Sequence, residues 1–264
     1  MKAVNIIRLG LIAFYALLWV GGVMSYLFMG GPPEDVAWTA PIYLATAALL
    51  LLGFAPASER IVLLIGGLIG FAAEILGTHT GFPFGHYEYT AILFPRLFSV
   101  PLVLVAAWLL LFAYVRQMTI NPLIGALWMT AIDLVIDPLA AHTLGFWTWE
   151  KGGWYYDIPW TNFAGWYFVS LLLFAIFRRP AELDFQAQWL GLSIILFFTV
   201  IAWGTGLVLA GSVGVALLVL HVVCMYQAKS PPGQRTLSAT SATTSHEPGF
   251  DNPDRSANTI TINR

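Results

Sequence analysis

Long apolar stretches alternate with short polar ones along most of the chain. They fall at about residues 9–29, 37–55, 61–78, 97–115, 123–141, 162–177, 189–205 and 214–226. Most approach the roughly 20 apolar residues that an α-helix needs to cross a bilayer. The pattern predicts an all-α fold, a polytopic transmembrane helix bundle of about eight spans. The last pair is the least separated. Residues 189–226 carry no formal charge, and only the glycines at 204, 206, 211 and 214 mark a break, so seven spans is the alternative count. The first apolar stretch is longer than the 7–15-residue core of a secretory signal and has no clear small-residue cleavage site, so it is expected to remain in the mature protein. The transmembrane domain is expected to cover residues 1–227. Residues 228–264 are rich in Ser, Thr, Pro and Asn and poor in bulky apolar residues, which predicts a disordered tail.

Composition sharpens this picture. Apolar residues make up 58% of the chain and charged residues 10%, whereas soluble domains have about 45–50% and about 25%. So few charges cannot cover a water-facing surface. A soluble enzyme, a nucleic-acid binder and a disulfide scaffold are excluded; Cys224 is the single cysteine, and the net charge of −2 implies no charged partner. Lys and Arg give the orientation. With the N-terminus in the cytoplasm, Lys2, Arg8, Arg60, Arg116, Arg178, Arg179, Lys229 and Arg235 lie inside, and only Arg96 and Lys151 lie in outer loops. The positive-inside rule therefore places both termini, and the tail, on the cytoplasmic side of the cell membrane. The loops after the third and fifth spans then share the outer face.

Of the fourteen acidic residues, Glu74, Asp133 and Asp137 fall within the apolar stretches. A charge at mid-bilayer costs about 2.5–3.5 kcal/mol even on the mildest scale, so such residues face the bundle interior and often mark a site. Glu74 shares a helical face with Gly66, Gly70, Ala73 and Gly77, small residues that let another helix approach closely. Asp133 and Asp137 lie one turn apart, with Ala126 and Thr130 continuing their face. Pro138 disfavours continued helix and is expected to put Asp137 at a kink near the outer surface. Two carboxyls so close in a low dielectric cannot both ionise easily, and a carboxyl held neutral is what a general acid requires. The competing reading is a set of structural acids satisfied by Thr, Trp or Tyr donors.

The two outer loops hold most of the remaining unusual residues. Residues 78–89 read THTGFPFGHYEY, and residues 146–166 hold Trp147, Trp149, Trp154, Tyr155, Asp157, Asn162 and Trp166 among further aromatics. An interfacial aromatic belt accounts for part of this density. It does not account for His86, Glu88, Asp157 and Asn162 interleaved with the rings. Together they suggest a pocket roof whose aromatic walls suit a polyene and stabilise a cation by about 0.5–2 kcal/mol per ring. His79, His86, Glu88 and the intramembrane acids are candidate metal ligands by residue type. The five histidines lack the closely spaced pairs of membrane di-iron oxygenases, and His142 reads as a helix-end residue. No metal or cofactor is expected, and no phosphate loop, nucleophile elbow or cysteine pair is present.

The run at residues 73–89, AEILGTHTGFPFGHYEY, resembles the signature of the carotenoid 1,2-hydratase family of bacteria and haloarchaea. So do Asp133-Leu134-Val135-Ile136-Asp137-Pro138, Trp147-Thr148-Trp149, and the segment from Tyr155 to Trp166 with Pro159, Asn162 and Gly165. The similarity extends over residues 61–179; its motifs belong to a broader family of carotenoid-biosynthesis membrane proteins. The resemblance implies addition of water across the terminal C1=C2 bond of an acyclic carotenoid ψ-end. Its implied partners are an acyclic carotenoid, membrane lipid and other enzymes of carotenoid synthesis.

The residue chemistry suggests roles for that reaction. Asp133 or Asp137 is the expected acid, and Glu74 its partner or the base for water. His86, Glu88, Asp157 and Asn162 are candidates to position water. Trp147, Trp149, Trp154, Tyr155 and Trp166 are the expected cation walls. The alternatives are another carotenoid- or isoprenoid-modifying enzyme (an oxygen-dependent hydroxylase or a cyclase), a proton-coupled transporter, or a protein that binds carotenoid unchanged. Against transport, the chain has no evident inverted repeat.

Overall fold

A computed structural model describes residues 2–229. Within them lie helices α1 (Lys2–Phe28), α2 (Thr39–Phe54), α3 (Ala57–Thr80), α4 (Val103–Arg116), α5 (Pro122–Pro138), α6 (Trp160–Ile176), α7 (Phe185–Gly204) and α8 (Val208–Lys229). Four short strands accompany them: β1 (Tyr87–Tyr89), β2 (Arg96–Leu97), β3 (Val100–Pro101) and β4 (Trp147–Trp149). The fold is an α-helical membrane bundle. Among the described residues, five helices (α1, α3, α5 with its continuation, α7 and α8) are long and apolar enough to cross a membrane, and α2, α4 and α6 are shorter apolar helices. Each of the eight apolar stretches becomes one helix. The break inside residues 189–226 falls where α7 ends at Gly204 and Gly206 takes a left-handed φ of 86°, a conformation that costs glycine little. The tail expected from residue 228 lies outside the described residues, apart from the end of α8.

One expectation about helix limits needs correction. The fourth apolar stretch does not begin as helix. Residues 96–101 form the β2–β3 hairpin, and α4 starts only at Val103. Pro101 has no N–H to offer a helix running through it. At 1.5 Å per residue, α4 is about 21 Å long, too short to cross alone, yet it forms the centre of the bundle. It packs against α2, α3, α5 and α7, and Trp108, Phe112 and Val115 have no exposed surface. Irregular backbone beside such a helix is tolerated because protein, not lipid, surrounds it. The fifth span changes form at Pro138, where the sequence predicts a break in the α-helix. It widens into one π-turn, Leu139–Thr143, closed by the Leu144 N–H on the Leu139 carbonyl at 2.9 Å. A π-turn shifts the hydrogen-bond register and so accommodates a residue without a donor.

Local chemistry sets the helix ends that matter. Asn121 caps α5, its side chain accepting from the N–H groups of Leu123 and Ile124, with Pro122 at the first helical position. Asp184 caps α7 through the Ala187 N–H. Gly81 ends α3 with φ 75° and donates to the Gly77 carbonyl. The glycine face of α3 meets α4 at close quarters: a Cβ on Gly70 would lie 2.2 Å from the Trp108 ring, and one on Gly66 2.6 Å from Phe112. Glu74 is thereby held inside the bundle, buried with Asp133 and Asp137.

The loops after α3 and α5 meet as expected. They are stitched together by β1 and β4, antiparallel, with Tyr87 opposite Trp149, Glu88 opposite Thr148 and Tyr89 opposite Trp147. Successive side chains of a strand point to opposite faces. Tyr87, Tyr89, Trp147 and Trp149 therefore face the bundle, while Glu88 and Thr148 face away and are exposed.

Candidate functional site: three buried carboxylates beneath an aromatic hairpin

Beneath the β1–β4 pair lies a cavity of about 80 Å3 whose wall includes all three buried acids. Among the described residues, no Lys, Arg or His lines it. Glu74, from the last third of α3, accepts from three donors: the Tyr87 hydroxyl by a short bond, the Tyr89 hydroxyl at 2.9 Å and the Trp108 indole N–H at 3.0 Å. Burial, with the Glu74 carboxylate beside them, pushes the Tyr87 and Tyr89 phenols well above their ordinary range, so both remain protonated donors.

The aspartates of α5 are joined through one residue of α6. The Asn162 amide donates to Asp133 at 2.8 Å and to Asp137 at 2.7 Å. Asp137 accepts a second bond, from the Trp147 indole N–H at 2.8 Å. The three acids thus differ in support. Glu74 has three donors, Asp137 two and Asp133 one among the described residues. A carboxylate that accepts several donors carries its charge more easily than one that does not.

Aromatic rings close the space around them. Trp108 and Trp166 stack with centroids 4.1 Å apart and planes at 11°. Tyr87 lies 4.9 Å from Trp149, and Tyr89 lies 5.8 Å from Trp147. Phe84, Phe146 and Phe198 complete the wall. The indole N–H of Trp149 is buried and meets no acceptor among the described residues. A buried donor without a partner costs about 1–3 kcal/mol, so it marks a position where a polar guest would be welcome.

Of the residues singled out from the sequence, Glu74, Asp133, Asp137, Asn162, Trp147, Trp149 and Trp166 meet at this cavity. The others do not reach it. Glu88 projects from the far side of β1, and His86 and Asp157 are exposed. Trp154 is 86% exposed. Tyr155 is buried, but its hydroxyl donates to the Leu134 carbonyl at 2.8 Å and anchors the second loop to α5. The inward-facing aromatics and Asn162 line the cavity; the other polar residues of the two loops do not. Tyr87, Tyr89 and Trp108 were missed as acid partners. Their signals were present: Tyr-Glu-Tyr and Trp-Thr-Trp alternate with the period of a strand, and a tryptophan inside an apolar helix needs an acceptor for its N–H.

Residues 38–226 match the family described as carotenoid biosynthesis protein. The chain belongs to that family. It is also 33% identical over 144 residues to bisanhydrobacterioruberin hydratase of Haloarcula japonica, an alignment covering 47% of this chain and 48% of that protein. The chain thus spans about half the length of the curated relative it matches. No solved structure matches it. The matched region includes every residue of the cavity wall, from Leu44 to Phe198.

Proposed function

We propose that the protein is a carotenoid-modifying membrane enzyme that adds water across the terminal C1=C2 bond of an acyclic carotenoid. The observation that carries this reading is the cluster of three buried acids with no basic partner in an aromatic cavity. An alkene is a weak base, so its protonation calls for a strong, dry acid and a wall that tolerates the resulting carbocation. The hydratase similarity of the Haloarcula relative supports the same chemistry.

Asp133, with the fewest donors, is the carboxyl that holds the proton, and Asp137, tied to it through Asn162, is its partner. The Asp133 O–H gives its proton to C2; the π electrons form the new C–H bond and leave a tertiary cation at C1. The faces of Trp166, Trp149 and Tyr87 stabilise that cation. Water attacks C1 through an oxygen lone pair. Glu74, held as a carboxylate by its three donors, takes the water proton. Returning that proton to the aspartate pair restores the enzyme, and the net change is one water added. The free Trp149 N–H holds the attacking water or the product hydroxyl. The positive-inside pattern puts this end of the bundle at the outer face of the cytoplasmic membrane, with both termini inside.

The test is isotopic. The chain is expressed in a lycopene-producing bacterium, with oxygen-labelled water in one culture and labelled dioxygen in another. The expected product is heavier by one water and labelled only from water. Label from dioxygen would establish a hydroxylase instead; unchanged lycopene with folded protein in the membrane would remove the hydratase reading.

A further inference from the structure

A second cavity, about 410 Å3, runs between α1, α2 and α7 and is lined almost wholly by apolar side chains. Three residues line both this groove and the carboxylate cavity: Leu44 of α2, Phe146 before β4 and Phe198 of α7. The two spaces are therefore neighbours separated by one collar of side chains. Phe146 and Phe198 are nearly buried, and Leu44 is half-buried. Gly21 of α1 also lines the groove, and a Cβ built there meets nothing within 4 Å.

We infer that the groove is the binding site for the polyene body of the substrate. The Leu44–Phe146–Phe198 collar then selects a narrow acyclic end for delivery to the acids. This rests on the carotenoid reading given above. A conjugated polyene is a stiff rod. It cannot fold back inside the carboxylate cavity, so its body must leave through the wall while its end stays near Asp133. The groove is the apolar space that adjoins the cavity at the height of Phe146. Its walls are made by membrane helices, so a lipid-dissolved chain is the matching occupant. A collar of two phenylalanines and a leucine admits an unbranched run of sp2 carbons with small methyls more readily than a six-membered ring.

The experiment measures equilibrium binding of lycopene, and of a carotenoid with ring-closed ends, by their visible absorbance shifts in detergent. The proteins are wild type, Gly21→Ala, Gly21→Leu and Gly21→Phe, with Gly10→Phe as the control; Gly10 is also on α1 with nothing near its Cβ but lies outside the groove. Lycopene affinity is expected to fall in steps with side-chain size, at least tenfold by Gly21→Phe, while Gly10→Phe binds as wild type. Phe198→Ala is expected to narrow the preference for lycopene over the ring-ended carotenoid. The Gly21→Ala and Gly21→Leu steps keep the test decisive should Gly21→Phe not fold. Wild-type affinity across the folded Gly21 series would overturn the groove. Failure of wild type to bind any acyclic carotenoid would instead overturn the substrate reading. Hydration is not part of the readout, so the two failures are distinguishable.

Discussion

Helices α3 and α4 bury charged groups at both of their ends, in opposite ways. At the end away from the aromatic hairpin, Glu59 near the start of α3 meets Arg116 at the end of α4 at 2.7 Å, with both side chains almost fully buried. Arg116 also donates to the Arg179 carbonyl at 3.0 Å. At the hairpin end, Glu74, Asp133 and Asp137 face one cavity whose lining holds no cation. The first arrangement neutralises its charges and closes three segments together, although the Arg116 Nε–H meets no acceptor among the described residues. The second collects acids that only neutral N–H and O–H donors support. Such a cluster is costly as architecture, because a buried charge without a counter-charge keeps its desolvation penalty. The difference teaches that burial of charge alone does not mark a site; burial without a counter-charge, against an open cavity, does.

The largest expected effect separates the two ends directly. Asp133→Asn keeps the size of the side chain but removes the transferable proton, so hydration should fall about 10²–10⁴-fold, the range for loss of a general acid. Unfolding in detergent should change little. Asp137→Asn should behave similarly. Full activity in either variant, assayed as carotenoid alcohol formed per folded protein, would take that residue out of the mechanism. At the other end Arg116→Ala should destabilise by about 3–5 kcal/mol, because it leaves the Glu59 charge buried alone. Pairing Glu59→Leu with Arg116→Met should recover most of that loss. A double variant no more stable than the single would show that the ion pair does more than neutralise itself.

A smaller effect tests how the acid cluster is placed. Gly70→Ala puts a methyl 2.2 Å from the Trp108 ring. Separating α3 from α4 to relieve this should cost about 1–3 kcal/mol, as overpacking does. It should also lengthen the Trp108 bond to Glu74, so hydration should fall more than the loss of stability explains. Trp149→Phe is gentler. It keeps the ring and removes the unpartnered N–H, so turnover should drop about tenfold with the protein as stable as before or slightly more so. An unchanged kcat would return that donor to a passive wall.

How much of this was legible in the sequence depends on range. The helices were, since each rests on hydropathy within its own stretch, and so were the acids, because a carboxylate in an apolar run stands out by itself. Glu59 was not. It precedes the apolar stretch by two residues, and only the extension of α3 to Ala57 brings it inside and opposite Arg116. The donors to Glu74 come from 13, 15 and 34 residues away in sequence. Their identity required knowing that α4 crosses the glycine face of α3 and that the two loops pair as strands.

Those strands frame the smallest expected effect. In the sequence Glu88 lies between two aromatics that belong to the cavity, which suggests that it belongs there too. In a strand that position is the reason it cannot belong: Tyr87 and Tyr89 face Glu74, and the residue between them faces away. Glu88→Gln should leave both hydration and stability within experimental error, as exposed substitutions usually do. Tyr89→Phe, one position on, should remove a donor from Glu74, costing about 1–3 kcal/mol of stability from a bond to a charged group and weakening Glu74 as the water base. Equal effects from the two variants would mean that β1 does not hold its pairing with β4 in the working protein. The separation between reactive cavity and exposed loop would then have to be drawn elsewhere.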